Sequence, residues 1–312
     1  MDTAFLFPGQ GSQSVGMGYE LYEHNDEARA RFEAANDLLD DVDLLALMFG
    51  LDGSPGDPDE RLKQTAITQP ALYTHSLAAM AVLEARGVAP DRVAGHSLGE
   101  YSALAAAGAL SFEDGLRVVR RRGELMAAAG ERRPGAMAAI MGADDEDVEA
   151  ACTAVSDEGE GVVQPANYNA PGQIVISGDE AAVERATARI KGRAIPLPVS
   201  GAFHSPLMEY AREGLGEVLE AVTIDAPDCP VYLNVTAEPT TDPDEIRRCL
   251  MEQLLSPVRW AQLLRRMQAD GATRFVEVGA GDVLRGLVGR TLGSDVETAG
   301  AGTPAEIDAL AG

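Results

Sequence analysis

The sequence predicts an α/β protein in which a mostly parallel sheet is covered by helices and a small subdomain is inserted. Two observations predict this fold. Short apolar runs alternate with helical patterns up to residue 132 and again after residue 197, which is typical of a parallel sheet covered by helices. Between 133 and 197 the order changes to strand, helix, strand, strand, helix, strand. That order indicates a ferredoxin-like unit.

The large domain is predicted to comprise residues 1–132 and 198–312. Its first part contains, in order, the strand Ala4–Phe7, helices Glu27–Leu39 and Pro70–Ala85, the strand Arg92–Ala94, and helices Leu98–Ala107 and Phe112–Ala129. Ser111 is a suitable N-cap for the last of these helices, and Gly130 is expected to follow its end. The glycines and prolines of 52–58 predict a loop.

The small subdomain, residues 133–197, is predicted to contain the strands Ala136–Met141, Val162–Pro165, Gln173–Ser177 and Arg193–Leu197 and the helices Asp145–Val155 and Glu180–Ile190. The large domain then continues with a helix from Ser205, the strand Val231–Asn234, two helices within Ile246–Ala269, the strand Arg274–Val278 and a last helix at Val283–Thr291.

The chain is strongly acidic. Its 50 Asp and Glu residues outnumber its 25 Lys and Arg residues, which leaves a formal net charge of -25 over 312 residues. A chain without a basic excess cannot neutralise phosphates well, so nucleic acid and anionic membranes are not expected as partners. The only lysines are Lys63 and Lys191. This bias suits a protein in concentrated salt, where self-repulsion is screened, and it equally suits a GC-rich genome. The sequence leaves both explanations open.

The three cysteines, Cys152, Cys229 and Cys249, are widely spaced and odd in number. Neither a disulfide framework nor a zinc site is therefore indicated, and a reducing compartment is expected. The first strand begins close to Met1 without a basic signal region, and no apolar run reaches 18 residues. We expect a cytoplasmic protein.

The segment Gly95–Gly99, GHSLG, has the Gly-x-Ser-x-Gly form of a nucleophile elbow. It follows a predicted strand and opens a predicted helix, which is the setting that such an elbow needs. The turn would expose the Ser97 hydroxyl and point the Leu98 N–H towards an incoming carbonyl oxygen. The pattern alone also fits a tight turn whose serine only caps a helix, so both interpretations stay open at this point.

A nucleophilic serine needs a base, and the chain offers four histidines. His24 is expected at a polar helix start and His75 within a helix, where surface and packing roles suffice. His96 adjoins Ser97, and the alternation of side chains aims it away from the serine. His204 lies in the loop that leaves the small subdomain, where catalytic groups are often found. It is the favoured base, with an ordinary loop histidine as the alternative.

The segment Pro8–Gln13, PGQGSQ, follows the first strand, and its glycines would let backbone N–H groups approach a ligand closely. It lacks the ending of a P-loop and the spacing of a dinucleotide fingerprint, so phosphate binding is not indicated. In the run Arg120–Arg122, successive helix residues point in different directions. The pattern by itself favours a solvated face for each of these arginines.

Six segments together resemble the malonyl-CoA:acyl carrier protein transacylase family. They are, in chain order, FPGQGSQ (7–13), GHSLGEYSAL (95–104), the pair Arg122-Gly123, NYNAPGQIVISG (167–178), GAFHSPLM (201–208) and EVGAGDVLRGL (277–287). The resemblance spans nearly the whole chain and implies a hydrolase-like large domain with a ferredoxin-like insert. The chain departs from many members of the family at Ala280, where they have proline.

The resemblance implies a role for each site residue. Ser97 would be acylated, and His204 would be its base, oriented by the backbone carbonyl of Gln253. The backbone N–H groups of Gln10 and Leu98 would form the oxyanion hole. The remaining two roles concern the substrate: Arg122 would bind the free malonyl carboxylate, and Phe203 would exclude an α-methyl branch.

The resemblance also implies ping-pong transfer of malonyl from malonyl-CoA to the phosphopantetheine thiol of an acyl carrier protein, in fatty-acid or polyketide synthesis, with no metal or redox cofactor. A monomer is expected. Carrier proteins are typically acidic, so the enzyme would receive them either through screening by salt or at a basic patch. The candidates for that patch are Arg117, Arg120, Arg121, Arg132 and Arg133.

Two other functions compete with this interpretation. A serine hydrolase or thioesterase also uses an elbow of this form, but it usually places its histidine late in the chain, and here no histidine follows His204. A non-catalytic scaffold that binds carrier proteins is the second alternative, and the presence of Ser97, His204 and Arg122 together disfavours it.

Overall fold

The computed structural model describes residues 2–51, 53, 57–199 and 201–311. Its strands are β1 (Thr3–Phe7), β2 (Arg92–Gly95), β3 (Ala136–Met141), β4 (Val163–Ala170), β5 (Gln173–Gly178), β6 (Arg193–Pro196), β7 (Val231–Tyr232), β8 (Pro239–Thr240), β9 (Arg274–Glu277) and β10 (Glu297–Gly300). Most of the loop predicted at 52–58 lies outside the described residues.

The helices are α1 (Tyr19–His24), α2 (Asp26–Leu38), α3 (Leu44–Phe49), α4 (Pro58–Leu62), α5 (Thr65–Ala85), α6 (Gly99–Ala106), α7 (Phe112–Arg132), α8 (Asp145–Asp157), α9 (Glu180–Arg189), α10 (Glu209–Ala221), α11 (Pro243–Gln253), α12 (Trp260–Ala269), α13 (Val283–Leu292) and α14 (Pro304–Ala311). A short 3-10 helix, Pro206–Met208, precedes α10. None of the described helices combines the length and apolar character needed to cross a lipid bilayer.

A six-stranded sheet in the order β10-β9-β1-β2-β7-β8 forms the centre of the large domain. Strand β1 pairs in parallel with β2 and β9, and β7 and β10 extend the parallel sheet on either side. Among the described strands of this sheet, β8 alone runs antiparallel. The mostly parallel sheet predicted from the sequence is confirmed. Phe7 lies opposite Gly95 in the register, so the segments after β1 and β2 leave the carboxyl edge of the sheet side by side.

A second, antiparallel sheet in the order β4-β5-β3-β6 carries α8 and α9 on one side, with a small apolar core of its own. This arrangement confirms the ferredoxin-like unit, whereas its limits at 133 and 197 stay a prediction. Strand β4 runs to Ala170, five residues beyond the predicted end. Its last part also pairs with the large domain, since the Tyr168 N–H donates to the Val258 carbonyl at 2.9 Å.

Helix α5 starts at Thr65, five residues before the predicted start at Pro70, and contains the proline. A proline inside a helix leaves the carbonyl four residues earlier without its usual donor. Here that carbonyl belongs to Ala66, and it accepts a hydrogen bond from Arg120 Nη1 at 2.8 Å. A side chain of α7 thus replaces the missing helical hydrogen bond, and this long-range contact could not be predicted from the local pattern.

Helix α7 continues to Arg132, so the prediction that Gly130 follows its end is wrong. Gly130 is buried within the helix and lies against the loop that carries His204. A Cβ atom added at Gly201 would come within 3.2 Å of the Gly130 Cα. The absence of a side chain at Gly130 therefore serves close packing rather than helix termination.

The end of the chain differs from the prediction in two places. Helix α13 is confirmed but is not the last helix, because the short elements β10 and α14 follow it. Strand β7 ends at Tyr232, two residues before the predicted end at Asn234, because the chain turns there into β8. The Ala237 N–H donates to the Leu233 carbonyl at 2.8 Å and closes this turn. The turn leaves Asn234 outside the strand, where its Oδ1 accepts from the Ser97 N–H at 2.7 Å.

Candidate active site

Ser97 occupies the sharp turn between β2 and α6, as predicted for a nucleophile elbow. Its φ is +51°, a left-handed conformation that costs free energy for any residue with a Cβ atom. The flanking residues must be glycines because there is no room for a Cβ atom at either position. A Cβ on Gly95 would lie 1.8 Å from the Gly99 carbonyl carbon, and one on Gly99 would lie 2.0 Å from the Phe7 carbonyl oxygen. The turn therefore packs directly on the end of β1.

His204 is the histidine that contacts the serine. Its Nε2 lies 2.8 Å from the Ser97 Oγ, and its Nδ1 lies 2.9 Å from the backbone carbonyl oxygen of Gln253. A carbonyl only accepts, so Nδ1 carries the proton and Nε2 is left to accept from the serine hydroxyl. His204 is almost fully buried. Burial, with a smaller contribution from the Arg122 charge, lowers the pKa of His204 to about 3, which keeps the imidazole neutral at neutral pH.

The other three histidines have partners or positions away from the serine. His96 bonds through Nε2 to Asn169 Oδ1 at 2.8 Å, and its ring packs against Trp260. His75 is buried in α5 and bonds to the Gly302 carbonyl. His24 ends α1 instead of starting a helix. His204 is therefore the histidine in contact with Ser97, and its role as the base stays a prediction.

Arg122 is buried beside Ser97, with 1% of its surface exposed. Its Nη2 donates to the Ser97 Oγ at 3.1 Å and to the Gln253 Oε1 at 2.9 Å, and its Nη1 donates to the Gln69 Oε1 at 2.7 Å. The solvated face that the pattern favoured is wrong for this arginine, although it holds for Arg121, which is exposed. Arg122 projects from α7 towards α5 and the serine, whereas the adjacent Arg121 faces solvent.

The segment after β1 lies against the serine turn. A Cβ on Gly9 would come within 2.4 Å of the His96 carbonyl oxygen, so only glycine lets the two backbones approach. The next residue, Gln10, lines the same cavity as Ser97 and Leu98. Its side-chain Oε1 accepts from the Thr65 hydroxyl at 2.9 Å. Within the described residues the backbone N–H groups of Gln10 and Leu98 have no protein acceptor, so both can donate to a bound oxygen.

These residues surround a cavity of about 120 Å³. Phe203, which is 6% exposed, forms part of its wall. The lining also includes residues that the sequence analysis did not single out: Met126, Met137, Asn167, Leu197 and Val199. Most of these are apolar residues that look like ordinary core or strand positions. The cavity lies between the two sheets, so no local pattern could reveal its walls.

A larger cavity of about 460 Å³ lies nearby, at the carboxyl ends of β1, β9 and β10. Its histidine, His75, is bound to the Gly302 carbonyl, and its arginine, Arg285, pairs with Glu306. No serine–histidine contact is found in it among the described residues. The smaller cavity, which holds Ser97, His204 and Arg122 together, is therefore the candidate active site.

Comparison with known proteins gives the family. Residues 4–305 match the model of the acyl transferase domain. The malonyl CoA-acyl carrier protein transacylase of Bacillus subtilis (strain 168) is 50% identical over 289 residues, which cover 91% of this chain and 89% of that protein. The chain belongs to the malonyl-CoA:acyl carrier protein transacylase family.

Solved structures of this family have the same fold. The acyl-carrier-protein S-malonyltransferase of Bartonella henselae superposes with a TM-score of 0.91 at 42% identity, covering 99% of this chain and 98% of that chain. A malonyl-transacylase solved in complex with its type II polyketide synthase acyl-carrier protein superposes with a TM-score of 0.90 at 38% identity, again covering 99% and 98%. The resemblance found in the sequence motifs is confirmed.

Proposed function

We propose that the protein transfers a malonyl group from malonyl-CoA to the phosphopantetheine thiol of an acyl carrier protein, through an acyl-serine at Ser97. One observation carries this proposal: Ser97 Oγ contacts both His204 Nε2, at 2.8 Å, and Arg122 Nη2, at 3.1 Å, in one small cavity. A base and a fixed cation at the same hydroxyl suit a nucleophile whose acyl group carries a carboxylate.

In the first half-reaction His204 Nε2 accepts the Ser97 proton while Oγ attacks the thioester carbonyl carbon. The carbonyl oxygen becomes an oxyanion, which the backbone N–H groups of Gln10 and Leu98 would stabilise. When the tetrahedral intermediate collapses, the carbon–sulfur bond breaks and coenzyme A leaves as a thiol, protonated by the His204 imidazolium. Malonyl remains as an ester of Ser97.

The second half-reaction reverses these proton movements with a different thiol. His204 accepts the proton of the phosphopantetheine thiol, the sulfur attacks the acyl-serine, and the proton returns to the Ser97 Oγ as the ester bond breaks. The Gln253 carbonyl stabilises the imidazolium through its contact with Nδ1, the position that an acidic residue has in Ser-His-Asp triads. The transfer changes no oxidation state, so we expect neither a metal nor a redox cofactor.

Arg122 is proposed to bind the free malonyl carboxylate. Its fork of donors can hold a carboxylate through two parallel hydrogen bonds, which a lysine ammonium reproduces poorly. Phe203 is proposed to limit the space beside the acyl chain, since it forms part of the cavity wall. Together they would select malonyl over acetyl and over methylmalonyl groups.

We place the enzyme in the cytoplasm and expect it to act as a monomer. The buried thiols of Cys152 and Cys249 are unpaired in the fold, which suits a reducing compartment. The partner assignment is supported by the structural relative that was solved with its acyl-carrier protein. The net charge of -25 supports the expectation that neither nucleic acid nor a membrane is a partner.

The decisive experiment is to incubate the protein separately with malonyl-, methylmalonyl- and acetyl-CoA and to weigh it by mass spectrometry, with Ser97→Ala as the control. We expect a malonyl adduct on Ser97 and none on the variant. Addition of a holo acyl carrier protein should then move the adduct to the carrier. Release of free malonate at the same rate without a carrier would indicate a hydrolase instead.

A further inference from the structure

The Glu100 carboxyl group is fully buried behind the Ser97 turn, and no step of the proposed reaction uses it. Its Oε2 atom accepts a hydrogen bond from the Gln253 side-chain Nε2 at 2.9 Å and another from the Asn234 backbone N–H at 3.1 Å. Its Oε1 atom has no hydrogen-bond partner within the described residues. Burying a carboxyl group is costly, and here a single oxygen makes both of the compensating contacts.

One of these donors belongs to the residue that clamps the serine turn. The Asn234 side chain accepts from the Ser97 N–H through Oδ1 at 2.7 Å and donates to the Gly95 carbonyl through Nδ2 at 2.7 Å. The amide therefore spans the turn from one side of His96 to the other. A residue with a positive φ persists only where its surroundings hold it there, and Asn234 supplies that restraint.

The other donor belongs to the residue that orients the base. Gln253 donates from Nε2 to the Ser97 carbonyl at 3.0 Å, while its own backbone carbonyl accepts from His204 Nδ1 at 2.9 Å. It therefore contacts both members of the Ser97–His204 pair. The chain reaches these positions from three separate segments, after β2, after β7 and at the end of α11, and these segments meet at the Glu100 carboxyl group.

We propose that Glu100 is a positioning residue for the Ser97–His204 pair, because its shared acceptor oxygen ties the Asn234 clamp to Gln253. The inference rests on the proposed acyl transfer through Ser97. Glu100 does not touch the histidine and so differs from the acid of a Ser-His-Asp triad. It fixes the histidine's carbonyl partner relative to the serine turn. Displacements of about 1 Å in such pairs can cost on the order of a hundredfold in rate.

The contacts of Glu100 suggest two informative substitutions. Glu100→Gln keeps the shape and can present one carbonyl oxygen to both donors, with its NH2 group in the place of Oε1. Glu100→Asp keeps the charge but withdraws the acceptor by one methylene. A third variant, Asn234→Asp, tests the clamp on the serine turn independently of Glu100. It replaces the donor to the Gly95 carbonyl by an oxygen and leaves the backbone N–H that contacts Glu100.

Glu277 offers a matched control. Its carboxyl group is also fully buried, and it accepts hydrogen bonds from the backbone N–H groups of Leu284 and Arg285, both at 3.0 Å, at the start of α13. Glu277 has no contact with Ser97, Asn234 or Gln253 among the hydrogen bonds of the described residues. Glu277→Asp therefore shortens a buried carboxyl group without disturbing the site.

The test is single-turnover acylation of Ser97 by malonyl-CoA, measured well below the unfolding temperature of each variant. We expect Glu100→Asp and Asn234→Asp to lower the saturating rate constant by on the order of tenfold to a hundredfold, with little change in the half-saturating concentration. Glu100→Gln should stay close to the wild type. Glu277→Asp should lower the melting temperature and leave the rate constant unchanged.

Three results would overturn the inference. They are a wild-type rate constant in Glu100→Asp, a loss in Glu277→Asp as large as that in Glu100→Asp, and a loss in Glu100→Gln as large as that in Glu100→Asp. If the wild-type protein forms no acyl-Ser97 at all, the proposed function fails instead, so the two failures are distinguishable.

Discussion

Arg122 and Ser97 are in direct contact, with the Arg122 Nη2 donating to the Ser97 Oγ across 3.1 Å. The other hydrogen bonds of this guanidinium among the described residues are to the amide oxygens of Gln69 and Gln253, and its Cζ lies 5.4 Å from the centre of the Tyr101 ring. Amide oxygens orient a guanidinium without cancelling its charge. A carboxylate that enters with an acyl group therefore meets a positioned cation beside the nucleophile.

The first prediction concerns this cation. Arg122→Ala should lose malonyl loading and gain in its relative use of acetyl-CoA. Hydrogen bonds to charged groups contribute roughly 1.5 to 3 kcal/mol each, which is enough for tenfold or greater discrimination. The measurement is the ratio of malonyl to acetyl adduct on Ser97 when both thioesters compete. A ratio unchanged from the wild type would remove Arg122 from carboxylate binding.

The second prediction concerns Phe203. Its ring is buried in the wall of a cavity of only about 120 Å³, so Phe203→Ser should open space for an α-methyl branch. One methyl group is worth about 1 to 3 kcal/mol in such pockets. We expect loading from methylmalonyl-CoA to rise relative to malonyl-CoA, with acetyl-CoA as the control whose loading does not depend on that space. Continued exclusion of methylmalonyl by the variant would contradict this role.

The third prediction separates two adjacent candidates for the base. His204→Ala should slow both acylation and transfer to the carrier, because one imidazole serves both half-reactions. His96→Ala should affect them less, since His96 bonds to Asn169 and not to the serine. Rapid-quench measurement of each half-reaction would distinguish the variants. A larger loss in His96→Ala would show that the base has been misassigned.

The sequence predicted the parts of the site that local geometry dictates. The glycines around Ser97 indicate a turn too tight for larger residues. The predicted strand before this turn and the predicted helix after it indicate that the turn exposes the Ser97 hydroxyl. Elimination among the four histidines favoured His204, and the structure places its Nε2 2.8 Å from the Ser97 Oγ. Arg122 is different, because a helix pattern of three arginines carries no sign of which one is buried. Only the family resemblance singled it out.

The rest of the site depends on contacts between distant segments. Asn234 and Glu100 meet across 134 residues, and Gln69 meets Arg122 across 53. The proline inside α5 also depends on a distant contact. It leaves the Ala66 carbonyl without a helical donor, and Arg120 of α7 donates to that carbonyl instead. Periodicity and turn chemistry report neighbours along the chain. They contain no information about which side chains the fold brings together from elsewhere.

The fourth prediction concerns the acidic surface. Four of the five arginines proposed for a basic patch are ion-paired, in the pairs Arg117–Asp114, Arg120–Asp41, Arg121–Glu124 and Arg133–Asp179. The fifth, Arg132, lies over the Tyr210 ring. Neighbouring acids therefore offset most of the positive charge in this region. We therefore expect an acidic carrier protein to approach because salt screens the repulsion between the two acidic surfaces.

Transfer from acyl-Ser97 to a holo acyl carrier protein should accordingly persist or accelerate as salt is raised towards 1 M. Transfer to pantetheine, an uncharged thiol, is the control, because charge repulsion does not affect its approach. A rate that falls with salt for the carrier but not for pantetheine would show that a local basic surface receives the carrier.

The last prediction is the pH dependence of acylation. The pKa of His204 is lowered to about 3, first by burial and then by the Arg122 charge, so the neutral imidazole that acts as a base persists far below pH 6.5. Acylation from acetyl-CoA, which has no free carboxylate of its own, should show no acid limb from His204 between pH 5 and 8.

Two variants identify the groups responsible for any remaining dependence. Arg122→Ala removes the cation that contributes to the low pKa of His204, so its acid limb should move upward, towards the ordinary histidine value. Burial raises the pKa of Glu100 to about 7, so this group titrates within the measured range. Both of its protonation states can offer Oε2 to Asn234 and Gln253, and we expect Glu100→Gln to leave the profile unchanged. The contrary result is an acid limb near pH 6.5 in the wild type that persists in Glu100→Gln. It would show that His204 titrates as an exposed histidine and that burial does not lower its pKa.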